Sequence, residues 1–82
     1  MTAVKVFGIG CASCRRTLAL VEDVIREAGL AIAVEKVEDP RQFVTYGVMR
    51  APAVVIDGRL VHAGGVPSRA RVAGWLREAA TT

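Results

Sequence analysis

Two cysteines three positions apart, Cys11 and Cys14, stand where a short β-branched run ends in glycines and a helical stripe begins. No other feature constrains the fold as much as this junction. Ala3 to Phe7 alternates, with Val4 and Val6 on one face, and runs into Gly8-Ile9-Gly10, which reads as a strand entering a tight turn. Beyond the turn Cys14, Leu18, Val21, Ile25 and Ala28 recur at spacings of four and three, the stripe of a helix lying on a sheet. Glu22 and Arg26 stand four apart on its other side, and Gly29 is the expected C-cap residue.

The mostly apolar run Leu30 to Val37 predicts a second strand covered on both faces. Strand, helix and strand in this order form a βαβ unit, whose parallel strands require a helical crossover. Asp39-Pro40-Arg41-Gln42 predicts a short helix with an acid at the N-cap, Pro at the first helical position and Gln where a capping box places it. That helix carries Phe43, Val44 and Tyr46, and Gly47 stops it. Arg50-Ala51-Pro52 leads into the apolar run Ala53 to Ile56, and Asp57-Gly58 separates this run from Arg59 to His62, a strong hairpin signal. Gly64-Gly65 ends the second hairpin strand. Ser68 is then the N-cap of a last helix that buries Val72, Trp75, Leu76 and Ala79. The predicted order is β-α-β-α-β-β-α, without linker, repeat or low-complexity segment.

Composition narrows the function. A chain of 82 residues fits one small domain, residues 1–82, and rules out a two-domain enzyme with a large cleft. Such a domain buries only about two-thirds of the surface its unfolded chain exposes, and a 52% hydrophobic content supplies the core. Charges, Gly and Pro interrupt the apolar stretches every few residues, so no span of about twenty residues suits a membrane. The net charge of +3 is uneven: residues 1–41 carry six basic and six acidic side chains, residues 42–82 five and two. With four aromatics (Phe7, Phe43, Tyr46, Trp75) and no Lys/Arg run longer than two, the chain lacks the basic, aromatic-interleaved stripe of a nucleic-acid binder. The first nine residues have their only charge, Lys5, inside the apolar stretch, which is not a secretory signal, and the cytoplasm is the expected compartment. In a reducing compartment, cysteines at this spacing mean redox catalysis or metal binding rather than a structural staple.

Helical spacing puts both sulfurs on one side, within bridging distance. At a helix start, unpaired amide N–H groups and the positive end of the dipole favour a thiolate on Cys11, so its pKa is expected below the ordinary value of about 8.5. Cys14, one turn inside, belongs to the buried stripe. Arg15 and Arg16 have two readings: solvated residues of a first turn, or cations that attract an acidic substrate or further favour the thiolate.

The C-x-x-C at the first helix start, the Ala-Pro opening a hairpin and the final helix resemble the minimal thioredoxin fold of thioredoxins and glutaredoxins. G-x-G-C-x-x-C in residues 8–14 and G-V-M-x-x-P-A-x-V-x-x-G in residues 47–58 look more closely like the small glutaredoxin-like thioredoxins called redox-active disulfide proteins. The resemblance covers essentially the whole chain. It implies an α/β fold, a four-stranded mixed sheet with helices on both faces, and a thiol-disulfide oxidoreductase with Cys11 as nucleophile and Cys14 as resolving thiol. Ala51-Pro52 is then a cis-proline peptide facing the sulfurs, its backbone free to pair with an extended substrate chain. The implied partners are disulfide-containing substrate proteins and a thioredoxin-reductase-type reductant, with glutathione as the other option. No cofactor or resident metal is implied, and the chain is expected to be a monomer. Ordinary thioredoxins have a Trp before the first cysteine and a Pro between the two; this chain has neither, and its first strand offers Lys5 rather than a buried acid.

The rival reading is a soft-metal carrier. Gly8-Ile9-Gly10-Cys11-Ala12-Ser13-Cys14 also looks like the G-M-T-C-A-S-C loop of heavy-metal-associated domains, where two thiolates hold Cu(I), and the same dithiol suits an arsenical. Those domains end on a strand, whereas this chain ends on the helix stripe through Trp75, and they explain neither Pro52 nor the hairpin after it. A zinc site needs two more ligands, for which the chain offers His62, expected at the surface, and carboxylates. The aromatics are expected in or half in the core. Met49, before Pro52, either borders a docking groove or plugs a gap.

Overall fold

Alternation along the first strand divides the apolar residues between two layers. The computed structural model describes residues 3–80; Met1, Thr2, Thr81 and Thr82, the ends of the expected 1–82 domain and the start of the stretch read for a secretory signal, lie outside the described residues. The elements are β1 (Ala3–Phe7), α1 (Ala12–Ala28), β2 (Ala33–Val37), α2 (Pro40–Thr45), β3 (Ala53–Ile56), β4 (Arg59–Ala63) and α3 (Arg69–Ala80). The sheet order is β2-β1-β3-β4, with β1 parallel to β2 and antiparallel to β3, and β3 antiparallel to β4. Among the described residues no helix is long and apolar enough to cross a membrane.

On one face Val4 and Val6 of β1 join Val54 and Ile56 of β3 under α1 and α3, packed with Val21, Val24, Ile25, Val72 and Leu76. On the other face Phe7, Ala53 and Val55 meet Val37, Val48 and the α2 layer. Phe7 receives Phe43 and Tyr46 edge-on, at centroid distances of 5.2 and 5.6 Å. Such contacts contribute about 0.5–1.5 kcal/mol each beyond the area they bury. β3 has neighbours on both sides and helices on both faces, and all four of its residues are buried.

Caps and turns follow local chemistry. Gly29, in the left-handed region at φ 66°, closes α1: its N–H donates to Arg26 O and that of Leu30 to Ile25 O, the paired bonds of a Schellman ending. Asp57 and Gly58 both have positive φ, 51° and 81°, as a two-residue hairpin turn that matches strand twist requires. Ser68 Oγ accepts from Arg71 N–H and starts α3.

Several expectations are corrected. β2 is an edge strand, its pairing with β1 beginning at Ala33 opposite Ala3, and Val37 is its one buried residue. The α1 stripe runs through Thr17 and Val24, while Ala28 is exposed; Thr17 tolerates complete burial because its hydroxyl donates to Ser13 O at 2.9 Å. Arg26 pairs with Asp23 at 2.7 Å. Asp39 caps α2 by accepting from Arg41 N–H, but the Gln42 amide oxygen accepts from Lys5 Nζ at 3.4 Å instead of closing a capping box. His62 is half-buried, its ring tilted against Trp75 and Nε2 2.9 Å from Gly65 O. Its own strand bulges at Val61, since Val54 faces His62 and Val55 faces Leu60.

Arg69, at the start of α3, bridges to Asp23 at 2.7 Å and to Glu27, both late in α1. The guanidinium of Arg69, and after it that of Arg26, hold the Asp23 carboxyl below its ordinary value of 3.8. A depressed carboxyl stabilises the fold above its unfolded-state value, and this contribution is lost as the pH falls through the folded-state value. The Tm of the wild type should therefore exceed that of Asp23→Asn at neutral pH. The difference should shrink below pH 3.8 and also in high salt, because the pair is exposed. Thermal melts across pH check this; a difference that survives strong acid unchanged contradicts it.

Candidate redox site

The helix start treats its two cysteines differently. Cys11 is the N-cap of α1, with extended backbone (φ −88°, ψ 158°), and its Sγ accepts from Cys14 N–H at 3.1 Å. That bond satisfies a donor which the first helical turn leaves without an intrahelical partner. Cys11 is exposed, whereas Cys14 is 5% exposed and belongs to the buried face of the helix. The two form a disulfide with a Cα–Cα separation of 5.1 Å. Solvent therefore meets Cys11 at the surface, while Cys14 is packed into the buried face of α1.

Gly8 fixes the inner sulfur. It is buried, its N–H donates to Val37 O at 3.1 Å, and a Cβ at this position would overlap Cys14 Sγ and Cβ. The turn itself is made at Gly10, with φ 62°, whose carbonyl accepts from Arg15 Nη1 at 3.0 Å. Reading Gly8-Ile9-Gly10 only as a turn missed what Gly8 does, which is to let the helix approach the end of β1. The available signal was a second glycine that the turn does not need.

The Ala51–Pro52 peptide is cis; Pro52 is buried and Ala51 exposed. Phe7 pairs with Ala53 in the antiparallel register, so one step further Pro52 comes opposite Gly8, on which Cys14 packs. The loop is braced from β4: Gly64 N–H donates to Pro52 O at 2.9 Å. Gly64 has φ 84°, and Arg50 Cδ lies 3.2 Å from where a Cβ would stand, so both backbone and space favour glycine there. Three segments, 8–14, 50–52 and 64–65, thus converge on one end of the sheet. Ile9, Met49 and Val66 expose 63, 94 and 42% of their surfaces, so Met49 plugs no gap in the core.

A second set of metal ligands is not assembled around the pair. Among the described residues there is no cluster of three or more His, Cys, Asp or Glu side chains suited to a metal ion, and His62 is engaged with Gly65 and Trp75.

A bridge with one reachable sulfur at a helix start is built for disulfide exchange. Comparison with known proteins leads to the same class. Residues 2–77 match the family model described as thioredoxin domain, and the chain belongs to that family. It is 26% identical over 72 residues to a thioredoxin of Methanothermobacter thermautotrophicus, an alignment covering 88% of this chain and 94% of that protein. A thioredoxin of Methanocaldococcus jannaschii is 31% identical over 68 residues, covering 83% and 78%. Among solved structures, thioredoxin-2, described as a component of malaria parasite protein secretion machinery, superposes with a TM-score of 0.76 at 13% identity, covering 95% of this chain and 82% of that one. Chloroplastic thioredoxin z gives 0.75 at 16% identity, covering 100% and 80%. These two likenesses concern the fold, and the α/β topology of this chain fits theirs. The protein is a thiol-disulfide oxidoreductase.

If Gly8 positions Cys14, Gly8→Ala should cost about 1–3 kcal/mol through overpacking. It should also slow disulfide exchange by about ten- to a hundred-fold, since a reacting atom displaced by about 1 Å loses that much. Gly10→Ala, strained at φ 62° but with nothing within 4 Å of the new Cβ, should destabilise while largely sparing exchange in the folded protein. Stability by denaturant titration and exchange rates on both variants check this. Equal loss of exchange in the two would remove the positioning role of Gly8.

Proposed function

We propose that Cys11 is the nucleophile and Cys14 the resolving thiol, and that Ala51 and Pro52 line the path by which a substrate chain reaches Cys11. The observation that carries this reading is the unequal exposure of the two sulfurs, Cys11 outside and Cys14 5% exposed. In the dithiol form the Cys11 thiolate attacks one sulfur of a substrate disulfide. A Cys11–substrate disulfide forms, and the other substrate sulfur leaves as a thiolate and takes up a proton. Cys14 then gives up its proton and attacks Cys11 Sγ, closing the internal bridge and releasing the second substrate sulfur. Two electrons pass from the protein to the substrate; the substrate ends as a dithiol and the protein as a disulfide.

The N–H of Cys14, which donates to Cys11 Sγ in the bridged form, supports the same sulfur when it carries negative charge. The exposed Ala51 backbone, beside a proline opposite Gly8, offers an extended substrate segment a place to pair close to the sulfurs. We take the working partners to be proteins with accessible disulfides and a thioredoxin-reductase-type reductant, the working compartment to be the cytoplasm, and the working form to be a monomer. Membership of the thioredoxin domain family supports the first two.

The order of attack sets the test. Cys14→Ser should accumulate mixed disulfides with substrates because nothing resolves them, while Cys11→Ser should trap none. Mass spectrometry of captured, non-reduced adducts measures this. Equal trapping by both variants would contradict a nucleophile-and-resolver pair and point to a symmetric thiolate clamp for a soft metal.

A further inference from the structure

We propose that the site selects disulfides flanked by acidic residues, and that Arg16 and Arg50, with Arg15 between the helix and its turn, provide the selection. The inference rests on the oxidoreductase reading of Cys11 above. The segments that build this end of the molecule, residues 8–16, 47–52 and 63–68, contain these three arginines and no Asp or Glu. None of the three makes an ion pair with a described carboxylate. On the far side of β1, Glu38 and Asp39, which follow β2, already pair with Lys36 at 3.7 Å and Arg41 at 3.3 Å. Further down α1, Asp23 is held by Arg26 and Arg69.

Fold stability does not account for the arginines. The first turn of α1 has no acidic residue, and cations near a helix start oppose its dipole. Arg15 is tied to the Gly10 carbonyl, so its charge stays at the turn that carries Cys11. Arg16 is exposed one residue on. Arg50 is exposed and adjoins Ala51; its side chain lies across Gly64, whose N–H braces Pro52. The positive charge thus flanks the reachable sulfur from the helix side and from the proline-loop side. A substrate segment paired along Ala51 with its disulfide at Cys11 has its flanking residues between these two sides. Guanidinium forks there suit carboxylates, and an uncompensated local field raises the encounter rate of segments of opposite charge. Arginines beside a nucleophile also favour its thiolate, but that effect is the same for every substrate. Dependence on substrate charge isolates docking from it.

The experiment uses the reduced full chain and three peptides, each with one disulfide, flanked by glutamates, serines or lysines. Bis(2-hydroxyethyl) disulfide serves as a small neutral substrate. At low salt the glutamate peptide should be reduced about tenfold or more faster than the lysine peptide, with serine between, and the order should collapse in about 1 M salt, where the screening length is about 3 Å. Arg16→Glu and Arg50→Glu should each shrink or invert the ratio. Arg77→Glu makes the same charge change in the last turn of α3, beside Glu78 and Ala79, which line a hollow with Asp57 and Arg59 at the hairpin turn; it should keep the ratio. Equal rates for the three peptides would overturn the proposal, as would an equal effect of Arg77→Glu, which would assign the preference to net charge. Failure to exchange even the neutral disulfide would instead overturn the reading of Cys11 as nucleophile.

Discussion

The contact between Cys14 and Gly8 is the constraint on which the rest of the site depends. Helix α1 can meet the end of β1 this closely because the residue there has no Cβ, and Cys14 occupies the space a side chain would take. The approach sets the depth of one sulfur and, through the helical rise, the position of the other at the N-cap. Gly8 directly follows Phe7, whose partner in the register is Ala53, so the junction lies at the same end of the sheet as the proline loop that precedes Ala53. A larger residue at position 8 would therefore shift three things together: the inner sulfur, the outer sulfur and their relation to Pro52.

The surrounding architecture keeps that junction rigid with few residues. The two cores meet across β1 and β3, whose side chains alternate between a helical pair on one face and the thin α2 layer on the other. Lys5, on the α2 side of the central strand, is accommodated by Gln42, the Tyr46 hydroxyl at 3.3 Å and the Tyr46 ring rather than by a carboxylate. Its stem covers apolar surface while its charge reaches polar partners at the edge of the layer. Cys14 consequently has no hydrogen-bonded carboxylate from this strand.

What was legible in the sequence were features decided within a few residues. Asp57-Gly58 must have positive φ at both positions, Gly29 must be left-handed, and Asp39-Pro40 must start a helix, so each is read without knowing the sheet order. The Cys11/Cys14 asymmetry was legible for the same reason, since N-cap and first-turn positions differ in any helix. The features that escaped depend on partners far along the chain. Whether Ala33 to Val37 is covered depends on β2 lying at the edge of the order β2-β1-β3-β4, which its composition does not encode. Gln42 is drawn to Lys5, 37 positions away, and His62 to Trp75 by a bulge in β4. Gly8 escaped because a close approach is a distance, and periodicity carries none.

Two identical side chains thus acquire different surroundings, without any other ionisable group among the described residues in hydrogen-bond contact with them. Cys11 lies outside the helix that begins at Ala12, with extended backbone, so its sulfur faces solvent and receives an N–H. Cys14 lies within the first turn, where the side chain follows the buried stripe down to Gly8. Exchanging their exposures would require turning α1 about its axis, which the buried Thr17, Val21, Val24 and Ile25 oppose. The unequal exposure of the two sulfurs is therefore held by the whole apolar face of α1. At the rim, where packing no longer decides, the difference between substrates falls to charge, and the charge available there is entirely positive.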